Sequence, residues 1–238
     1  MENNMERSSG KDFLLTRNNF AVVLTGGEDR ISVNRAFSDV GWCEFRVDEF
    51  LRDFPEEEIT GWLSVNRKSV DFIGTVRSDR ERQDRGLHIP EGKRLEIYKK
   101  IIERVDYIDV EIKSRIAEEV SNLARKKRRK VILSYHNFLR TPCCKTLENI
   151  YREGMMLRPD IIKVAANVRS GTDLLTLISF TSRYAKKFPL VVIPMGVPAC
   201  CRLIPLYFGS LFTYISLGKK TAPGQISHEE LRSMKWLL

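Results

Sequence analysis

Residues 107–136 read YIDVEIKSRIAEEVSNLARKKRRKVILSYH. The stretch opens on a β-rich run, Tyr107 to Ile112, in which Asp109 and Glu111 alternate with Ile108, Val110 and Ile112. It closes on a second run, Val131 to His136. Between them, 114–128 carries apolar residues at helical spacing beside a charged face. Strand, helix, strand is a βαβ unit, and a helical crossover requires the two strands to be parallel.

The same rhythm extends both ways along the 238 residues. β-rich runs occupy 20–25, 43–47, 71–76, 107–112, 131–136, 161–168, 190–195 and 213–217. Helical spacing recurs at 92–104, 114–128 and 172–187, and 227–238 reads as a final helix with Ser227 as its N-cap. Eight βα units in a chain of this length predict a single-domain (β/α)8 TIM barrel, α/β in class. The competitor is an open doubly wound sheet, which carries a glycine-rich first turn; here that turn offers only Thr25-Gly26-Gly27, not GxGxxG. Residues 1–18 read as a polar N-terminal extension without the apolar run of a secretory signal.

Composition narrows the function classes. The net charge is 40 − 31 = +9, which favours an anionic partner. The run Arg125-Lys-Lys-Arg-Arg-Lys130 suits a nucleic-acid patch, but it suits better a helix C-terminus whose dipole welcomes cations before a solvated turn. No nucleic-acid partner is therefore expected. The most apolar stretch, 190–201, is short and broken by Pro194, Gly196 and Pro198, so no membrane span is expected. The 5 cysteines show no CxxC spacing and the chain has only 3 histidines, which argues against zinc and for reduced thiols in a cytoplasmic protein.

The informative feature is charge on the strands. Side chains alternate faces. Glu44, Arg46 and Asp48 share one face, as do Asp109 with Glu111, Ser134 with His136, and Lys163 with Ile161 and Ala165. Each set lies opposite apolar residues that must pack against helices, so the charged sets point into the barrel. Taken singly, His136 would be a hydrogen-bonded core residue, Lys163 a strand end reaching solvent, and Glu44 with Arg46 a structural ion pair. Delivered together to one interior, where unpaired charge is costly, they describe an active site. Desolvation and nearby cations disfavour a buried ammonium, and a neutral amine attacks carbonyls to give an iminium, an electron sink for removing an adjacent proton. A histidine moves that proton, and arginines hold an anionic substrate bidentately. The residues thus predict Schiff-base chemistry on a small anionic carbonyl compound.

At this point the chain resembles a known family, the type I 3-dehydroquinate dehydratases of the shikimate pathway. The motifs are Glu44-Phe-Arg-Val-Asp48, Thr75-Val-Arg-Ser78, Asp109-Val-Glu111, Ser134-Tyr-His-Asn-Phe138 with Thr141-Pro142, Asp160-Ile-Ile-Lys163, Phe208-Gly-Ser210 and Ala222-Pro-Gly-Gln-Ile226. The resemblance implies a (β/α)8 barrel that converts 3-dehydroquinate to 3-dehydroshikimate by syn loss of water, with no metal and no organic cofactor. By match to the family, Lys163 forms the imine, His136 is the general base and then acid, and Glu81 orients it. Arg202 grips the substrate carboxylate. Thr25, Glu44, Arg46, Arg77, Thr221 and Gln225 make further substrate contacts, Gln225 from a mobile loop. A homodimer is implied by family analogy alone. The family commonly has Gly-Gly after the orienting glutamate, where this chain has Arg82-Gln83. Threonines stand at 25 and 221 where serines are usual, and Cys200-Cys201 precedes Arg202. The nearest rival is another Schiff-base barrel, an aldolase or transaldolase; Ala222-Pro-Gly-Gln225 and the residues around His136 argue against it.

Overall fold

The computed structural model describes residues 15–64, 70–82, 87–218, 220–222 and 224–234. Gln83, and the last residues of the helix expected over 227–238, lie outside the described residues. The strands are β1 Phe20–Leu24, β2 Trp42–Arg46, β3 Asp71–Thr75, β4 Tyr107–Glu111, β5 Lys130–Asn137, β6 Ile161–Asn167, β7 Leu190–Met195, β8 Thr213–Ser216 and the two-residue β9 Ile226–Ser227. The helices are α1 Arg30–Asp39, α2 Val47–Phe50, α3 Ile59–Trp62, α4 Glu91–Ile101, α5 Ala117–Lys126, α6 Cys144–Met156, α7 Gly171–Tyr184, α8 Ile204–Tyr207 and α9 His228–Ser233.

All ladders are parallel, in the order β7-β6-β5-β4-β3-β2-β1-β8-β9. This is the predicted α/β barrel. Among the described residues no ladder joins β7 to β8. That seam is bridged by the Leu211 N–H, which donates to the Leu190 carbonyl at 2.9 Å, and by the Val192 N–H, which donates to Ser210 Oγ at 2.9 Å.

Local chemistry accounts for the element ends. Asp29 caps α1 by accepting from the Ile31 and Ser32 amides, and Ser227 caps α9 in a reciprocal box with Glu230, as its position predicts. The basic run ends α5: Arg125 and Lys126 lie in its last turn, and Arg128 turns the chain at φ 56°. Arg125 donates to the Leu157 and Arg158 carbonyls, so the run serves the junctions at the bottom of the barrel. One strand ends earlier than alternation suggests. β2 stops at Arg46 and the chain coils into α2, whose first turn carries Asp48 and Glu49.

Two apolar layers result. Val22, Phe45, Ile108, Val110, Val131 and Val164 face the helices. Ala21, Val23, Ile73, Ile132, Ala165 and Val191 face the lumen. Burying each Val or Ile side chain is worth about 1.5–3 kcal/mol. The lumen floor is aromatic: Trp42 packs on Tyr107 at 5.0 Å and on Phe212 at 4.7 Å between ring centroids. Of the extension expected over 1–18, residues 1–14 lie outside the described residues. Leu15 is buried, Arg17 donates to the Phe37 and Val40 carbonyls, and the Asn18 carbonyl accepts from Trp42 Nε1, so 15–18 close over the floor. With the lower lumen filled, polar side chains are left to the C-terminal end, where barrel loops can reach them.

Candidate active site

The parallel register stacks the inward positions. Ser134 on β5 lies beside Lys163 on β6, and His136 lies beside Ala165, so histidine and lysine are diagonal neighbours on one face of adjacent strands. Both line a cavity of about 410 Å³ at the strand C-termini, together with Arg46, Arg77, Glu81 and Arg202. Thr221 and Gln225 form part of its rim.

Lys163 is 3% exposed. Its Nζ donates to Asp109 Oδ2 at 2.7 Å, to Tyr214 Oη at 2.9 Å and to Glu44 Oε1 at 3.3 Å. The immediate neighbours are thus two carboxylates and a phenol rather than the cations expected from sequence. Strand alternation shows which residues point inward; it does not show which of them meet. Burial would raise the Asp109 pKa, but Arg77 and Lys163 more than offset it and hold the carboxyl well below its ordinary range. Arg77 spreads its guanidinium over Asp109 at 3.0 Å, Glu111 at 2.9 Å and Ser134 Oγ at 2.8 Å. Ser134 in turn donates to Asp109 at 2.6 Å.

His136 meets Glu81 as the motif match predicts. Glu81 Oε2 accepts from the His136 amide at 2.8 Å and lies 3.0 Å from Nδ1. An oxygen already accepting one N–H is suited to accept a second, so Nδ1 carries the proton and Nε2 is left as the basic atom. Burial, then the Arg77 and Lys163 cations, push the His136 pKa well below the ordinary imidazole value. Burial, then the Glu111 carboxylate, push Glu81 up to about 8.

The remaining predicted residues divide. Glu44 accepts from Thr75 Oγ1 at 2.8 Å. Arg46 forks onto Asp48 at 3.0 and 2.7 Å. Arg202 is 1% exposed on the connection after β7, and burial lowers its pKa to about 10, so an anion beside it would offset desolvation of the guanidinium. Thr221 and Gln225 meet each other: Gln225 Oε1 accepts from the Thr221 amide at 2.8 Å. Gly224 holds φ 72°, and a Cβ there would overlap the Val197 carbonyl oxygen, so the loop lies close against the post-β7 segment. Thr25 is not brought to the cavity; its hydroxyl donates to Glu28 at 2.9 Å. Tyr214, Glu49 and Arg82 line the cavity without having been singled out as site residues. Tyr214 had a signal, its inward position on β8 opposite Ala21.

The polar end of this barrel also has relatives. The model of the type I 3-dehydroquinase family matches residues 23–236. The chain belongs to that family. It is 34% identical over 192 residues to the 3-dehydroquinate dehydratase of Thermodesulfovibrio yellowstonii, covering 79% of this chain and 81% of the relative. To that of Thermococcus onnurineus it is 37% identical over 191 residues, covering 79% and 83%. The crystal structure of 3-dehydroquinate dehydratase from Geobacillus kaustophilus superposes with a TM-score of 0.80 at 25% identity, covering 94% of this chain and 91% of the other. Membership of the type I 3-dehydroquinases makes this chain a lyase. No helix among the described residues is long and apolar enough to cross a membrane.

The Glu81–His136 pair carries a stability signature. Glu81 titrates at about 8 when folded, against an ordinary 4.5. Between those values the folded state holds a proton that the unfolded chain has released, so this contribution is full below 4.5 and lost as pH rises through 8. His136 acts oppositely: its lowered pKa costs stability below the ordinary 6.5 and nothing above it. Of the two, Glu81 therefore acts alone from pH 6.5 to 8. Urea unfolding should show wild-type stability falling across that window, and Glu81→Gln should flatten the fall. Equal slopes in the two proteins would assign the buried proton elsewhere.

Proposed function

We propose that this chain removes water from 3-dehydroquinate to give 3-dehydroshikimate through an imine on Lys163. The observation that carries the reading is the placement of a desolvated amine and a glutamate-held histidine on neighbouring strands of one cavity. The Lys163 ammonium passes a proton to His136, the freed amine adds to the ketone, and that proton leaves with the carbinolamine hydroxyl as one water when the iminium forms. The iminium draws electrons from the adjacent carbon. His136 Nε2 takes a proton there, the pair of electrons forms the new carbon–carbon double bond, and the neighbouring C–O bond breaks. His136 returns its proton to the departing hydroxyl, which leaves as water. A further water hydrolyses the conjugated imine and frees the amine, so the net loss is one water.

The other residues take roles that fit their positions. As the imidazole charges, Glu81 Oε2, the acceptor beside Nδ1, stabilises it, and the growing positive charge favours the ionised form of Glu81. Arg202 holds the substrate carboxylate, and its desolvated guanidinium is suited to a bidentate partner. Glu44, Arg46 and Arg77 shape the wall around the ring hydroxyls. Thr221 and Gln225 close the rim and limit water while the imine exists. Every group invoked comes from one chain, so the proposal needs no second copy.

The test combines two measurements on the wild-type protein. With 3-dehydroquinate, the absorbance of a conjugated enone should grow. Borohydride added during turnover should fix a reduced adduct that peptide mass mapping assigns to Lys163. An adduct on another residue would overturn the imine assignment. No enone, together with turnover of a sugar phosphate, would favour an aldolase.

A further inference from the structure

Arg82, directly after Glu81, is held by contacts that the dehydration steps do not use. The 3₁₀ turn Asp79–Glu81 ends at Arg82, whose backbone is extended at φ −118° and ψ 154°. From there Arg82 Nη1 donates to Asp48 Oδ2 at 3.0 Å and Nη2 to Glu49 Oε1 at 2.6 Å. The Arg82 side chain is 2% exposed, and its fork suits two carboxylate oxygens as a lysine cannot. Asp48 is itself fully buried, gripped by Arg46 and by the Arg77 amide at 3.1 Å. The anchor is therefore the buried first turn of α2, directly after β2.

Glu81 needs such an anchor. It faces Glu111 and Asp109 of β4, whose charge repels its own ionised form, with Arg77 on the same connection acting against that repulsion. His136 faces Arg77, Lys163 of β6, Asp109 and Arg46 of β2. A carboxyl beside two others is driven towards solvent unless its backbone is fixed. Its two bonds to His136 depend on a placement good to about 0.5 Å.

We propose that Arg82 is a positioning residue, clamping the backbone after Glu81 onto Asp48 and Glu49 so that Glu81 holds His136 with Nε2 free. This rests on the reading of His136 as the proton-transfer group. Arg82 acts through its neighbour, which gives it a signature that a generally structural side chain would lack. In a double-mutant cycle, Arg82→Ala should lower kcat by about 10-fold where Glu81 is present and by less than about 2-fold in Glu81→Gln, with KM little changed. Arg82→Lys, which keeps the charge and one of the two bonds, should recover part of the loss.

Nitrogen-15 spectra of the His136 ring near neutral pH give a readout without turnover. The wild type should show the Nδ1–H form, and Arg82→Ala a mixture of tautomers. Equal losses of kcat in both Glu81 backgrounds, no loss at all, or an unchanged ring spectrum would each overturn the proposal. Should Arg82→Ala fail to fold, the same cycle and spectra with Arg82→Lys decide it by the same outcomes. If the wild type fails to turn over 3-dehydroquinate, the dehydratase reading falls, and the ring spectra still judge Arg82.

Discussion

Replacing Lys163 with alanine should leave a folded barrel and cut turnover by roughly 10⁴-fold or more, the scale of losing a nucleophile that works with a partner base. The fold should survive because the charges Lys163 leaves behind keep other partners. Asp109 retains Arg77 at 3.0 Å and Ser134 at 2.6 Å, and Glu44 retains Thr75 at 2.8 Å. Neither carboxylate becomes a buried orphan, which is the situation that makes breaking an internal ion pair severe. Activity has no such reserve, since the register sets Lys163 beside Ser134 and diagonal to His136, whereas Lys220, another lysine lining the cavity, lies outside the sheet. Steady-state assay and intact-mass analysis after borohydride check the outcome together. Near-normal rates, or an adduct that persists in the variant, would remove the imine from the mechanism.

The second large effect is at His136. Its replacement by alanine should slow turnover by about 10²–10⁴-fold, the usual worth of a positioned acid–base group. Imine formation needs Lys163, whereas carbon deprotonation needs Nε2, so the variant should accumulate adduct that Lys163→Ala cannot form. Glu81 keeps its bond from the residue 136 amide, which limits rearrangement around the site. The contrast in trapped mass, present in one variant and absent in the other, separates the two roles more sharply than rates alone. An unchanged rate in His136→Ala would return the residue to the core.

How much of this was legible before folding follows from the range of each signal. Strand alternation is local, and it placed Glu44, Asp109, Glu111, Ser134, His136 and Lys163 inside the barrel, where they are. The opposing apolar faces gave the helix-packed layer by the same rule. Motif resemblance then paired Glu81 with His136 across 55 residues, a contact that alternation alone cannot supply. What stayed hidden depends on closure of the ring. Lys163 finds Asp109 and Tyr214 at separations of 54 and 51 residues, and Arg82 finds Asp48 at 34. Thr25 is engaged locally: Glu28, three residues on, accepts from its amide and hydroxyl, and Thr25 is not among the residues lining the cavity. The bend at Arg46 was missed because alternation continues on paper through Asp48 while the backbone has already begun to coil.

The gap between β7 and β8 bears on how molecules come and go. Arg202 follows one edge of it, and the loop bearing Thr221 and Gln225 follows the other. Among the described residues no ladder spans it, only bonds such as those of Leu211 and Val192, whereas the wall from β2 through β6 is held by continuous ladders. Breathing of the wall is cheapest where the fewest bonds must part. Such breathing would widen the opening between Arg202 and the segment bearing Thr221 and Gln225 while Glu44, His136 and Lys163 keep their spacing, giving an otherwise stiff cup one yielding side.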